Sequence, residues 1–258
     1  MATPNPSERV ARDTSGDAAK QMEGPTFSSP NELVTIYVGP KNVPFAIHKE
    51  VACLYSPVLK AAFNSNFIEG QSQRYTLEEG TAKSFQLVVQ WLYSQKIKPI
   101  FTEPELNVVP GKPNLILWIS DDEGYEDKED MHVRITDRLD HLVKVWITAD
   151  YLQIPRLQNS VVDEIEQLRA GYNLIPVTAL CQVYKHLPSQ AALRKLIFEQ
   201  CWRFCATAAL AFANDQDIFP WEYLRDYIIA DKLAKFSPLP DPFTDRAEFK
   251  KWFYVNED

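Results

Sequence analysis

The chain has 258 residues, 45% of them hydrophobic and 12% aromatic, and a formal net charge of −8 at pH 7. That length can bury roughly 70–75% of its unfolded surface, in one large domain or two small ones. The charge is concentrated: residues 121–130, "DDEGYEDKED", hold seven acids against one lysine, a net of −6, and the rest is nearly neutral.

Without a broad basic surface for phosphates, nucleic acid is not expected as a direct partner. Four cysteines are too few for a disulfide framework. The N-terminus lacks the apolar core of a signal peptide, and "FCATAALAFA" (204–213) is too short to span a bilayer. An intracellular, reducing compartment is expected, cytoplasmic or nuclear, with no membrane partner.

Residues 1–30 are rich in Ser, Pro, Asp and Ala and cannot bury enough surface to offset their ordering entropy, so a disordered tail is expected there. Order begins at "LVTIYVGPKNVPFAI". Val34, Ile36 and Val38 alternate with Thr35 and Tyr37, Gly39-Pro40-Lys41-Asn42 is turn chemistry, and Phe45 and Ile47 resume the period of two. These signals predict a β-hairpin.

A helix over "HKEVACLY" should stop at Ser56-Pro57, where the serine caps and the proline opens a second helix carrying Val58, Leu59, Ala62 and Phe63. After "EGQSQ", "RYTL" reads as a short strand. Phe85, Val88, Val89 and Leu92 then form the i, i+3, i+4, i+7 stripe of a core-facing helix. "KIKP" reads as a short extended piece.

Residues 99–136 read as an insertion in which "LILWI" (115–119) and "MHVRI" (131–135) could pair as a hairpin tipped by the acidic run. Helices follow from 139: "DRLDHLVKVWITADYL", broken at Pro155, then "RLQNSVVDEIEQL", "IPVTALCQVYKHL", "SQAALRKLIFEQCWRFCATAALAFA", "PWEYLRDYII" and "DRAEFKKWF".

Three blocks in this order carry a resemblance. They are "FAIHKEVACLYSPVLKAAFNSNFIEG", with His48, Lys49, Ser56, Phe63, Phe67 and Glu69; "YTLEEGTAKSFQLVVQWLYSQKI", ending in Leu92 and Tyr93; and "WITADYLQIPRLQNSVVDEI", with Ala149, Asp150, Tyr151, Leu152 and Leu157. Together they resemble the BTB/POZ family over about residues 33–98 and 139–169. The resemblance implies an α+β fold, a short mixed β-sheet flanked by a helical cluster, followed by an all-helical C-terminal extension. It places the BTB/POZ domain at 31–170 and the extension at 171–258. An acidic insertion beside a helical C-terminal half is similar to the BTB proteins of filamentous fungi.

Three positions depart from the family's pattern. Leu33, or Glu32 beside it, stands where an Asp often pairs with the basic residue next to the histidine. No amphipathic helix precedes the first strand, as it does in many dimeric members. Phe85-Gln86-Leu87 lacks the glutamate of the hydrophobic-x-Glu motif carried by many members that serve cullin ubiquitin ligases.

The resemblance implies a non-enzymatic protein–protein interaction module needing no cofactor, whose partner is a second copy of itself, forming a homodimer, or another protein. The alternative is a substrate adaptor for a cullin-type ubiquitin ligase. Tyr55, Phe63, Phe67, Trp91 and Tyr93 are the aromatic candidates for partner anchors, and His48, Lys49, Ser56, Glu69, Leu92 and Asp150 the motif residues.

Catalytic readings find less support. His48 and Cys53, five apart, would sit about 140° apart around a helix, which is no thiolate–imidazole dyad. Cys201 and Cys205 share a helix face, with Cys181 and His186 upstream, but they lack the tight pairs of a closed zinc site. A metal- or thiol-dependent enzyme using Cys201, Cys205 and His186 is the third reading. The acidic run fails the calcium-loop template, since placing Gly124 sixth puts Ile119 first.

Overall fold

The structure, a computed structural model, describes residues 27–98, 128–172, 175–205 and 219–257. The hairpin forms as expected: β1 (Leu33–Val38) pairs antiparallel with β2 (Val43–His48), with Ile36 opposite Phe45. Val34, Ile36 and Val38 are all buried, as the alternation requires. The turn needs left-handed backbone at Gly39 (φ 68°) and Asn42 (φ 47°), and a Cβ on Gly39 would meet the Gly80 carbonyl oxygen at 2.9 Å.

Two short helices follow, α1 (Lys49–Tyr55) and α2 (Pro57–Phe63), separated by extended Ser56. The Ser56 hydroxyl accepts the Leu59 N–H at 3.1 Å, and Pro57 occupies the first turn, where no intrahelical N–H is needed. The segment "EGQSQ", left without an element by the sequence, is mostly helix α3 (Ile68–Ser72), closed by left-handed Gln73. Strand β3 (Arg74–Leu77) then lies parallel to β1, giving the sheet order β2-β1-β3.

Helix α4 (Ala82–Ser94) opens on a capping box between Thr81 and Ser84. Its buried stripe is Phe85, Val88, Trp91 and Leu92, while Val89 is half-buried. Lys96–Lys98 belongs to no strand or helix among the described residues, and Pro99 lies outside them.

Helix α5 (Lys128–Tyr151) begins inside the acidic run and contains "MHVRI", so the hairpin pairing of 131–135 is overturned. Its expected partner "LILWI" lies outside the described residues, as do residues 121–127 of the acidic run. The physical reason is continuity: no Gly or Pro occurs from 128 to 151, and Glu129 and Asp130 suit the positive end of a helix.

Helix α6 (Pro155–Tyr172) returns beside α5. A 3-10 turn (Val177–Ala179) leads into α7 (Leu180–His186), followed by α8 (Ala192–Phe204), α9 (Trp221–Phe236) and α10 (Arg246–Phe253). The helix expected to run from 189 to 213 is thus described only as α8, because 206–213 lie outside the described residues.

One buried cluster runs from the sheet through α4, α5 and α6 into α7, α8 and α10. Arg138 on α5 donates to the Lys98 carbonyl and faces Glu164 on α6 at 3.3 Å, so the end of the α4 segment is tied to the α5–α6 pair. The tail expected over 1–30 is anchored at its end: Ser28 and Ser29 backbone N–H groups donate to the Glu50 carboxylate at 2.9–3.0 Å. Residues 1–26 lie outside the described residues.

Candidate interaction surface

The opening histidine is an architectural joint. His48 ends β2, and the Tyr93 hydroxyl accepts its backbone N–H at 3.1 Å and lies 2.7 Å from its Nδ1. Phe27 packs on the same ring at 4.6 Å. Cys53, half-buried in α1, has the Asn64 amide 3.9 Å from its sulfur, and burial pushes its thiol pKa up despite nearby Lys49 and Lys60. A thiol shifted upward is a poor nucleophile. The ring and the thiol are each engaged elsewhere, in agreement with the helical spacing.

The remaining motif residues also serve the frame. Ser56 is fully buried and bridges two elements, since its hydroxyl donates to the Leu152 carbonyl at 2.7 Å while capping α2. Leu92 is in the core. Asp150 is exposed and accepts the Gln158 amide at 3.0 Å across the α5–α6 turn. Lys49 opens α1, its backbone N–H bonded to the Glu32 carbonyl at 2.9 Å, and Glu69 lies in the first turn of α3.

The five aromatic candidates separate. Phe63 and Trp91 are each 1% exposed, and the Trp91 indole N–H donates to Ser160 Oγ at 2.9 Å. Both belong to the core and cannot anchor a partner. Tyr55 is half-buried edge-on to Trp91, and Tyr93 is half-buried with its hydroxyl committed to His48. Phe67 alone of the five stands out, 76% exposed at the start of α3.

Two exposed apolar residues absent from the sequence candidates accompany it, Leu54 on α1 and Ile68 on α3. Helices α1 and α3 both pack on α2. Leu54 was detectable: Val51, Ala52 and Tyr55 fall on one arc of α1, and Leu54 lies outside it. Ile68 gave no such signal, because α3 is shorter than two turns.

Leu87 in α4 is half-buried and packed on the core. Elsewhere an open groove of about 640 Å³ separates the β3–α4 turn from α5 and α7, lined by Glu78, Glu79, Ile147, Tyr151 and His186. Cys201 is fully buried, its pKa pushed well up by desolvation, and Cys205 ends α8 half-buried, whereas His186 is exposed on α7. Among the described residues no group of three His, Cys, Asp or Glu side chains is placed to hold a metal ion. No helix among them is long and apolar enough to cross a membrane.

No curated protein matches the chain. Residues 28–107 match the family model described as the BTB/POZ domain. That stretch contains the hairpin, the parallel third strand, α1 to α4 and the histidine joint. The chain therefore carries a BTB/POZ domain, a small mixed sheet of three strands with its helices, of the kind that generally serves as a protein–protein interaction module rather than an enzyme, and continues into a helical C-terminal region.

Proposed function

We propose that the protein works by binding another protein chain, a second copy or a different partner, through the exposed apolar residues around α2 of its BTB/POZ domain, with Phe67 as the anchor, its chain neighbour Ile68 next to it and Leu54 on α1 as a further contact. The observation that carries this is a phenylalanine left three-quarters exposed on a domain whose other aromatic candidates are packed or hydrogen-bonded. A large exposed aromatic is the residue type on which interface energy concentrates. The domain is taken to run from 31 to 170, because α5 and α6 supply partners to Ser56, Trp91 and the Lys98 carbonyl.

Light scattering at micromolar concentration tests self-association. A dimer that dissociates in Phe67→Asp supports the face. A dimer unchanged by that substitution, or a monomer whose partners are retained by Phe67→Asp, overturns it.

The cullin-adaptor reading draws on the domain type, and Leu87 weighs against it. Failure of a cullin N-terminal domain to bind in a pull-down would remove it. The acidic run at 121–130 together with the helical C-terminal half supports a place among the BTB proteins of filamentous fungi. The third reading, an enzyme using Cys201, Cys205 and His186, would need thiols that react in the folded state. Slow alkylation of both cysteines until unfolding would dismiss it.

A further inference from the structure

Strand β3 is an edge of the sheet: β1 lies on one side of it, and among the described residues no strand lies on the other. Along a strand the backbone groups of successive residues point to alternate sides. The Gln73 and Leu77 carbonyls accept the Thr35 and Gly39 N–H groups at 3.0 and 2.8 Å, in the register that sets Thr35 beside Arg74 and Tyr37 beside Thr76. Residues 73, 75 and 77 therefore bond to β1, while Arg74 and Thr76 turn their N–H and C=O groups to the free side. Such an edge is a template for one more strand.

The groove of about 640 Å³ runs along this edge. Thr76, Leu77 and Glu78 line one side of it, Ile147 and Tyr151 of α5 lie within it, and His186 on α7 stands across from the strand. The Tyr151 hydroxyl is 3.2 Å from that of Tyr75, so α5 lies on the side to which Tyr75 and Leu77 point, and Arg74, Thr76 and Glu78 are exposed on the other. The two ends of the edge differ in charge. Arg74 stands at one end and the Glu78–Glu79 pair at the other, and Lys144 on the α5 wall is held by Asp140 at 2.6 Å.

We propose that β3 takes an extended segment of a partner protein as a fourth, antiparallel strand lying in this groove. The segment carries a basic residue opposite Glu78, an acidic residue opposite Arg74, and apolar side chains between them that point toward Ile147 and Tyr151. Main-chain hydrogen bonds to Thr76 and Arg74 supply affinity, and the alternate side chains supply selection. Opposite charges facing each other across a strand pair are favourable. The site is separate from the Phe67 surface and does not depend on it. A second copy of β3 would match the charges, because Arg74 and Glu78 are equally spaced about Thr76. A two-fold pair, however, sets α5 and α7 of both copies on the same side of the seam, where one such pair walls the groove. A bare segment brings no helices with it.

The test uses the full chain and three labelled peptides: Ser-Lys-Val-Thr-Val-Glu-Ser, the same peptide N-methylated at its threonine nitrogen, and the charge-swapped Ser-Glu-Val-Thr-Val-Lys-Ser. Fluorescence anisotropy should show the first binding about tenfold more tightly than the N-methylated form, which keeps every side chain but cannot donate to the Thr76 carbonyl. The swapped peptide should bind several-fold more weakly at low salt. Thr76→Pro removes an outward N–H, a change that edge strands accept, and should weaken the first peptide about tenfold. Glu78→Lys should level the first and the swapped peptide, and Phe67→Asp should bind as the parent chain does. The near-UV spectrum of each variant confirms that the fold is kept. Equal binding of the N-methylated peptide, no binding of any peptide, loss of binding in Phe67→Asp, or a dimer of the chain that Thr76→Pro dissociates would overturn the proposal.

Discussion

Replacing Ser56 with alanine removes two functions of one buried hydroxyl. It caps α2 through the Leu59 N–H at 3.1 Å, and it donates to the Leu152 carbonyl at 2.7 Å, 96 residues on. Loss of a serine cap costs about 1 kcal/mol. A buried carbonyl deprived of its donor costs roughly 1–3 kcal/mol more. A total of about 2–4 kcal/mol is therefore expected, which for a chain of this size lowers Tm by roughly 4–16 °C. Ser94→Ala is the control, since Ser94 is exposed and its hydroxyl bonds locally to the Gln90 carbonyl at 2.7 Å. Thermal melts followed by near-UV circular dichroism give both values. If Ser56→Ala loses no more than Ser94→Ala, the hydroxyl does not join α2 to the α5–α6 turn, and the account of this motif serine fails.

Asn159 clamps the segment after α10, accepting the Val255 N–H at 2.7 Å and donating to the Val255 carbonyl at 2.9 Å, so Asn159→Ala should raise hydrogen exchange at Val255 by at least tenfold. Retained protection there would show that the clamp is dispensable. Burial raises the Glu164 pKa and lowers that of Arg138 even though the two face each other. Arg138→Met should thus cost about 3 kcal/mol in urea titrations at pH 7, while Arg138→Met with Glu164→Leu should return most of it. In the single variant Glu164 titrates above its unfolded value, so its penalty is absent below about pH 4.3 and grows as pH rises. The Cys201 thiol is likewise raised in the fold, so its contribution is fully present below about pH 8.5 and is lost at higher pH; Tm should fall between pH 7.5 and 9.5, less steeply in Cys201→Ala.

Much of the domain was legible because its signals are local. The hairpin announces itself by alternation and by Gly39-Pro40-Lys41-Asn42, and the break between α1 and α2 by Ser56-Pro57. What the sequence hid depends on tertiary context. "MHVRI" is short enough to read as a strand, and its place inside a 24-residue helix follows only from continuity with 137–151. Helix α3 has five residues, too few to display a period. Trp91 drew attention as an aromatic anchor, yet its indole is held by Ser160, a partner 69 residues away that no spacing rule reveals. On α9 only the exposure of Trp221, Ile228, Ile229, Leu233 and Phe236 separates them from buried Tyr223.

The same long-range ties bear on where the domain ends. The family match closes at residue 107, before α5 and α6 begin. A fragment spanning 27–107 would keep the sheet and α4 but uncover the α4 stripe of Phe85, Val88, Trp91 and Leu92 on the side where α5 packs. It would also lose the Leu152 carbonyl that satisfies Ser56 and the Ser160 hydroxyl that satisfies Trp91. Exposing these four side chains at roughly 1.5–3 kcal/mol each costs about 6–12 kcal/mol, as much as the 5–15 kcal/mol that holds a typical domain together. The fragment 27–107 should therefore show no cooperative melt and no dispersed amide spectrum, whereas 27–172 should show both. A cooperative transition in the shorter fragment would mean that α5 and α6 decorate the domain instead of completing its core.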